Sequence, residues 1–171
     1  MSDGTGPVDV FVGAGSNVEP ERHLRDACRA LRAKFGELRL SPVYRTAAVG
    51  FDGEDFINFV IAFRTARAPE AVVEILEQLH DAAGRVRGPN PFSPRTLDLD
   101  LLLYGDAVIP DQAIRVPRDD ITRYEFVLRP LAEMAPELPH PVNGQRMREL
   151  WAAFEHRDPS MQRVEVDLLG D

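Results

Sequence analysis

From Gly84 to Tyr104 the chain reads GRVRGPNPFSPRTLDLDLLLY, an irregular segment followed directly by an apolar one. Three prolines and a glycine separate Arg87 from Arg95. Because proline lacks a backbone donor and restricts the residue before it, this part is predicted to be a loop. The apolar content and length of residues 96–104 favour a buried strand over a short helix. We therefore expect a long loop that leads straight into a core strand.

Two acidic residues follow each other on the predicted strand. Asp98 and Asp100 are two positions apart, so their side chains lie on the same face. Like charges at that spacing raise each other's pKa unless a cation is present. Magnesium is commonly held by one or two carboxylates together with substrate phosphates. An isolated Asp-x-Asp is more often a solvated strand end, but three guanidinium groups that match phosphate oxygens precede it and favour a magnesium and phosphate site: Arg85, Arg87 and Arg95.

The usual nucleotide-binding motifs are missing from the sequence. The chain has neither G-x-x-x-x-G-K-[ST] nor the protein-kinase motif set. Gly13 and Gly15 begin a dinucleotide-binding fingerprint, but Val18 occupies the position of its third glycine. Phosphate binding is therefore expected to come from the arginine loop and the aspartate pair.

The same stretch resembles a known enzyme family. The segments GRVR, beginning at Gly84, and SPRTLDLD, ending at Asp100, resemble the signature of 6-hydroxymethyl-7,8-dihydropterin pyrophosphokinase, HPPK. The resemblance extends from about Phe11 to about Leu150. It includes three shorter motifs, namely Gly15-Ser16-Asn17, Tyr44-Arg45-Thr46 and Phe56-Ile57-Asn58.

This resemblance implies an ATP-dependent enzyme of folate biosynthesis, 2-amino-4-hydroxy-6-hydroxymethyldihydropteridine diphosphokinase. Such an enzyme transfers the β,γ-pyrophosphoryl group of ATP to the hydroxymethyl oxygen of the pterin and releases AMP. By the resemblance, Asp98 and Asp100 bind two Mg²⁺ ions, and Arg85 and Arg95 stabilise phosphate charge in catalysis. Nucleotide contacts are implied for four further residues: Arg87, Leu101, Arg118 and Arg123.

A pterin ring is flat and has amide-like edges, so it requires stacking faces and a few donors and acceptors. The resemblance assigns the two stacking faces to Phe56 and Phe126, and recognition of the ring edge to Asn58. Phe92 takes the place of a stacking residue in the arginine loop. Backbone hydrogen bonds are implied for Thr46, Ala47 and Val49.

Several positions depart from the family pattern. His80 stands where Glu is frequent, Arg118 where His is typical, and Tyr124 where Arg is typical. Arg118 is still able to bind phosphate, and Arg123 is one position from the missing arginine. We expect these changes to affect ATP affinity or rate more than reaction class. The alternatives are a paralogue that acts on another pterin-like alcohol and a catalytically weak pterin- or nucleotide-binding module.

Length and composition set further bounds. The 171 residues fit one domain, and the formal net charge of −8 argues against nucleic-acid or membrane partners. Cys28 is the only cysteine, which excludes an intrachain disulfide and favours a reducing compartment. No signal segment or apolar run of about 20 residues is present. We expect a cytoplasmic monomer that binds small-molecule substrates.

Hydrophobic periodicity predicts an α+β, ferredoxin-like sandwich, an antiparallel sheet with helices packed on its faces. Its six core elements are strand 8–14, helix 19–35, strand 38–45 interrupted at Pro42, strand 56–63, helix 69–83 and the strand that carries Asp98. A turn is expected at residues 15–17. Two later helices are expected at residues 126–134, broken near Pro130, and at 147–154. Residues 1–7 and about 157–171 are expected to be peripheral to the single domain.

Overall fold

The computed structural model describes residues 6–47, 55–84, 96–155 and 157–170 of the chain. Six strands are formed by these residues: β1 (Val8–Ser16), β2 (Arg39–Leu40), β3 (Val43–Thr46), β4 (Phe56–Thr65), β5 (Asp98–Tyr104) and β6 (Gln162–Val164). They also form five helices: α1 (Pro20–Phe35), α2 (Pro69–Ala82), α3 (Asp120–Arg123), α4 (Glu125–Met134) and α5 (Met147–Ala152).

The described strands form one antiparallel sheet in the order β5-β1-β4-β3-β6, with β2 beside β4. As predicted, Pro42 divides one strand into β2 and β3, and both parts pair with β4. Ser41 bridges the break, because its hydroxyl oxygen accepts the Val60 N–H at 2.7 Å. Counting β2 and β3 as one strand, the order matches a ferredoxin-like sheet, so the predicted fold class is confirmed.

The two longest of the described helices, α1 and α2, cover one face of the sheet. Leu24, Cys28 and Leu31 from α1 join Val72 and Leu76 from α2 in a buried cluster with strand side chains. Burial raises the pKa of the Cys28 thiol to about 12. Cys28 is therefore a core residue, as its place on the apolar stripe of α1 predicted.

The opposite face is covered by the three later helices. Leu128 and Leu131 of α4 pack against Phe11 of β1 and Val60 of β4 in a second buried cluster. The six predicted core elements include only the first helical layer, formed by α1 and α2. The second layer is formed by the segment after β5. Among the described residues, no helix has the length and apolar character needed to cross a membrane.

Leucine side chains of β5 pack on both faces of the sheet. Leu99 and Leu101 belong to the first cluster, whereas Leu102 and Leu103 both belong to the second. The register with β1 shifts between Phe11 and Val12, which adds one residue to β5 and changes its facing. Simple alternation therefore holds only from residue 97 to residue 101.

The structure differs from the predicted elements at the end of β1 and inside α4. The expected turn at residues 15–17 begins later, because Gly15 pairs with both β4 and β5 and Ser16 pairs with β4. The expected break at Pro130 is absent, and α4 continues through it to Met134. A proline inside a helix costs about 3 kcal/mol. Burial of neighbouring side chains such as Leu128 and Leu131 offsets that cost.

The segment after residue 157, which its charge suggested to be peripheral, contributes to the sheet and the core. Residues 162–164 form β6 at the sheet edge, paired with residues 43–45 of β3. Met161 is 7% exposed, and Leu168, 2% exposed, joins the first buried cluster. The segment therefore combines an edge position with core contacts.

Candidate active site

The acid pair lies on β5 as the two-residue spacing predicted. Leu99, between Asp98 and Asp100, is buried in the first cluster, whereas both aspartates are partly exposed. The neighbouring strand places Gly15 opposite Asp98 and Gly13 opposite Asp100. Because paired residues share a face of the sheet, these glycines add no side chain of their own beside either carboxylate.

Arg118 connects the acid pair to the segment before α3. Its Nη2 lies 3.6 Å from Oδ1 of Asp100, and its Nε lies 3.2 Å from Oδ2 of Asp120. Its backbone N–H donates to the Leu102 carbonyl at 3.0 Å, which fixes this segment beside β5. Arg118, which was predicted to bind phosphate, therefore lies beside Asp100, one of the predicted metal ligands.

The electrostatics of this group favour an added cation. Burial raises the pKa of Asp100, Arg118 lowers it, and the Asp98 and Asp120 charges raise it, so that the net direction is upward. Burial alone would lower the pKa of Arg118, but Asp100 and Asp120 outweigh it and raise that pKa. Among the described residues, the Arg118 guanidinium therefore only partly compensates the three carboxylates.

Asn58 lies on the same face, one strand beyond β1. It pairs with Gly15, which in turn pairs with Asp98, so the three residues form a row across the sheet. A Cβ atom at Gly15 would be 2.4 Å from Asn58 Oδ1. The Asn58 amide therefore lies over Gly15 and occupies the space that any other residue would fill.

Tyr44 continues this row on β3 and has a structural role. It pairs with Asn58, is only 1% exposed, and its hydroxyl donates to the Glu133 carboxylate. Burial and the Glu133 contact raise its pKa to about 12. Tyr44 therefore anchors α4 to the sheet.

The predicted ring-stacking residues come from two elements. Phe56 begins β4 opposite Thr46 and is half-buried. Phe126, on α4, is 37% exposed and stacks on Tyr124, with ring centroids 5.1 Å apart. The N–H of Ala47, after Thr46, is 3.5 Å from the Ser160 hydroxyl. Phe56 shares the face of β4 that carries Asn58, and α4 packs on that face.

A cleft of about 260 Å³ lies on the side of Arg118 and includes this residue in its wall. Arg115, Arg118, Thr122 and Asn143 provide polar groups in its wall. His140 also lines it, and burial lowers the pKa of this imidazole. Arg118 is thus shared between the cleft and the Asp100 carboxylate.

The remaining predicted residues fall into two groups. Leu101 has its side chain buried in the first cluster, so a nucleotide contact there depends on its main chain. Arg123 is exposed at the end of α3, five residues after Arg118 in the chain. Five predicted site residues lie outside the described part of the chain: Val49, Arg85, Arg87, Phe92 and Arg95.

Two residues near the acid pair were not among the predicted site residues. Asp120 shares Arg118 with Asp100, and no motif distinguished it from Asp119. His80, at the end of α2, accepts the Leu99 N–H through Nε2 at 2.8 Å. Its departure from the family pattern marked His80 in the sequence, but not its contact with β5.

The donor groups near the acid pair determine which metal ion this site is able to hold. Within the described ranges, no group of three or more His, Cys, Asp or Glu side chains could hold a metal. Magnesium does not require such a group, since waters and substrate phosphates complete its coordination. Asp98 and Asp100 therefore fit magnesium that binds together with a phosphate substrate.

Comparison with known families gives a match over most of the chain. Residues 11–136 match the model of the family described as 7,8-dihydro-6-hydroxymethylpterin-pyrophosphokinase (HPPK). This range contains the acid pair, Asn58, Phe126 and the Arg118 segment. It ends before α5 and β6.

Curated relatives match over similar lengths. A protein of Pseudomonas aeruginosa named 2-amino-4-hydroxy-6-hydroxymethyldihydropteridine pyrophosphokinase is 38% identical over 149 residues, which cover 84% of this chain and 90% of that protein. A protein of Methylorubrum extorquens with the same name is 34% identical over 160 residues, covering 91% and 98%.

Solved structures agree on the fold. A crystal structure of Plasmodium falciparum HPPK-DHPS superposes with a TM-score of 0.73 at 12% identity. The match covers 95% of this chain and 46% of the Plasmodium chain. At this identity the similarity concerns the fold.

Proposed function

The chain belongs to the 7,8-dihydro-6-hydroxymethylpterin-pyrophosphokinase family, and we propose that it transfers pyrophosphate from ATP to 6-hydroxymethyl-7,8-dihydropterin, giving AMP and the pterin diphosphate. The observation that carries this proposal is the row of Asp98, Gly15 and Asn58 across one face of the sheet. It brings a carboxylate that is able to bind a metal and an amide that is able to recognise a heterocycle edge to the same surface.

Asp98 and Asp100 are proposed to hold two magnesium ions together with the phosphates of ATP. Bound magnesium neutralises phosphate charge and orients the attacking hydroxyl oxygen. The raised pKa of Asp100 supports this role, because a carboxylate that is burdened by nearby like charges gains from an added cation.

Arg118 is proposed to bind an ATP phosphate from the side of the cleft. Its planar guanidinium is able to donate to phosphate oxygens as well as to carboxylates. Its position 3.6 Å from Asp100 supports a contact with a phosphate held next to that residue. Arg123 and the main chain of Leu101 are proposed to add nucleotide contacts nearby.

The pterin is proposed to lie over the row between Asn58 and the acid pair. Strands are about 4.8 Å apart, so β4 and β5, on either side of β1, are roughly 10 Å apart. That span suits a bicyclic ring whose edge meets Asn58 and whose hydroxymethyl group extends towards Asp98. Phe56 and Phe126 would stack on the ring, and Thr46 and Ala47 would contribute backbone groups.

The residues outside the described ranges keep their predicted roles as part of this proposal. Arg85 and Arg95 would stabilise the transferring phosphates, and Arg87 would hold ATP. Phe92 would cover the ring, and Val49 would contribute its backbone. A cytoplasmic location and a monomeric state also remain predictions.

The reaction is tested by product analysis. Purified protein is incubated with Mg²⁺ and ATP, with and without 6-hydroxymethyl-7,8-dihydropterin, and nucleotides are separated by chromatography while ³¹P NMR follows the pterin product. We expect AMP and a pterin diphosphate in equal amounts only when pterin and metal are both present. AMP formed only with another alcohol would indicate a paralogue, and binding without AMP would refute the enzymatic proposal.

A further inference from the structure

His80 makes a buried connection between α2 and the acid-bearing strand. Its side chain is 2% exposed, and Nε2 accepts the backbone N–H of Leu99 at 2.8 Å. On the other side of the ring, Nδ1 lies 3.0 Å from Oε1 of Glu77. Leu99 is the residue between Asp98 and Asp100, so this bond acts on the peptide between the two predicted metal ligands.

The two contacts define the state of the imidazole. A backbone N–H only donates, so Nε2 must present its lone pair to Leu99. The proton of the neutral ring then lies on Nδ1, where the Glu77 carboxylate accepts it. Glu77 therefore selects the tautomer that is able to receive the Leu99 N–H.

The location of β5 explains why this backbone group needs a partner. Among the described strands, β5 pairs with β1 alone and forms an edge of the sheet. Backbone donors on the outer side of an edge strand have no ladder partner. The His80 bond satisfies one of them inside the protein and fixes the strand where Asp98 and Asp100 emerge.

We propose that His80 is a positioning residue for the Asp98–Asp100 pair, acting as a neutral acceptor that holds the β5 backbone in the geometry required for magnesium. The inference rests on the proposed function, because it concerns the same acid pair. Groups that orient metal ligands typically change metal affinity or activity about 10- to 100-fold when they are removed. His80 acts on the backbone between the ligands, so we expect an effect in that range.

A neutral acceptor also has an electrostatic advantage at this position. Asp98 and Asp120 already raise the pKa of Asp100, and a carboxylate in place of His80 would add another negative charge nearby. An imidazole accepts the Leu99 N–H without that charge. We therefore expect a neutral amide acceptor to replace His80 better than an apolar side chain of similar size.

The test compares three variants. His80→Leu removes the acceptor, His80→Gln offers a neutral oxygen acceptor, and Ser41→Ala removes a different buried side-chain acceptor, the one that receives the Val60 N–H at 2.7 Å. Ser41 lies between β2 and β3, which β1 and β4 separate from β5. The Ser41 variant therefore controls for the general loss of a buried hydrogen bond.

Metal binding is the first measurement. Calorimetry of Mg²⁺ with a nonhydrolysable ATP analogue, together with Mn²⁺ as a paramagnetic probe, gives the metal affinity of each variant. We expect His80→Leu to weaken metal binding about 10- to 100-fold. We expect the metal affinity to recover partly in His80→Gln and to stay unchanged in Ser41→Ala. This difference should remain even if Ser41→Ala and His80→Leu lose the same amount of thermal stability.

The hydrogen bond itself is measured in the wild-type protein, so the inference remains testable if His80→Leu does not fold. We expect an NMR coupling across the hydrogen bond between the Leu99 amide nitrogen and His80 Nε2, and slow exchange of the Leu99 amide proton. Absence of both, or equal metal affinity in wild type and His80→Leu, would overturn the positioning role. An Asp100→Asn variant with normal metal binding would instead overturn the proposed site.

Discussion

One face of the sheet has two ends that the same strands build differently. At the covered end, Phe11 of β1 and Val60 of β4 pack under Leu131 of α4. At the open end, further along the same strands, Gly15 and Asn58 take the corresponding places beside the aspartates of β5. The alternation of side chains is unchanged, and only their chemistry differs.

This difference separates stability from function within one surface. The covered end removes apolar side chains from water, which stabilises the fold. The open end combines glycines, an amide and carboxylates, which contribute little to the core and leave polar groups for the proposed ligands. Substitutions at the open end should therefore reduce activity without unfolding the protein, and substitutions at the covered end should do the reverse.

The largest expected effect is loss of transfer when either acid of the open end is removed. We expect Asp98→Ala or Asp100→Ala to lower kcat at least about 10³-fold, equivalent to about 4 kcal/mol, because a metal contact is lost in the transition state. AMP release measures this loss, and circular dichroism measures retention of the fold. Asp9→Asn is the matched control, since Asp9 lies at the far end of β1 in an exposed pair with Arg64.

A substitution at the covered end should have the opposite profile. Leu131 is fully buried in the second cluster, and Leu131→Ala is expected to reduce the free energy of unfolding by about 2–5 kcal/mol. Urea denaturation measures this change, with the exposed Val142→Ala as control. A specific loss of kcat in fully folded Leu131→Ala would mean that the two ends are not separable.

A smaller effect is expected at Gly15. A Cβ atom there would be 2.4 Å from Asn58 Oδ1, so Gly15→Ala should displace the Asn58 amide. We expect the KM for the pterin to rise about tenfold, or about 1.4 kcal/mol, with a smaller change in the KM for ATP. In the control Gly13→Ala, the new Cβ would meet Leu102 at an ordinary 3.5 Å. Equal pterin KM values for the two variants would contradict a role for Asn58.

The sequence predicted most elements of the two ends but not how far β1 and α4 continue. Helical and strand periodicity identified α1, α2 and the core strands, because those patterns depend on local geometry. The continuation of β1 through Gly15 depends on pairing with two neighbours, and the continuation of α4 through Pro130 depends on packing. No local sequence pattern predicts either continuation.

The same distinction applies to the site. The spacing of Asp98 and Asp100 was sufficient to place both acids on one face. The bond from Leu99 to His80, by contrast, joins residues 19 positions apart and depends on how α2 lies beside β5. The ion pair of Arg118 with Asp120 likewise requires the turn before α3. Motifs therefore predicted the candidate reacting groups, and the fold was needed to find the residues that contact them.

The smallest expected effect concerns the stability of the metal-free protein. Because the pKa of Asp100 is raised from 3.8 in the folded state, its stabilising contribution is present at low pH and is lost as pH rises through the folded-state pKa. Asp100→Asn lacks this ionisation, so in the absence of metal it should be more stable than wild type at pH 7 and similar to it at pH 3. The gain should not exceed about 1 kcal/mol, since Asp100 is partly exposed and Arg118 offsets some of the cost.

Thermal denaturation with a chelator across this pH range measures the difference, and added Mg²⁺ with an ATP analogue should reverse its sign. Arg118→Gln provides a second comparison, because it removes the guanidinium that lowers the pKa of Asp100. As the pH rises, this variant should lose more stability than the wild-type protein does. If Asp100→Asn were instead less stable than wild type at pH 7 without metal, its carboxylate would be contributing to the fold as covered-end residues do. The polar residues of the open end would then contribute to the stability of the fold as well as to ligand binding.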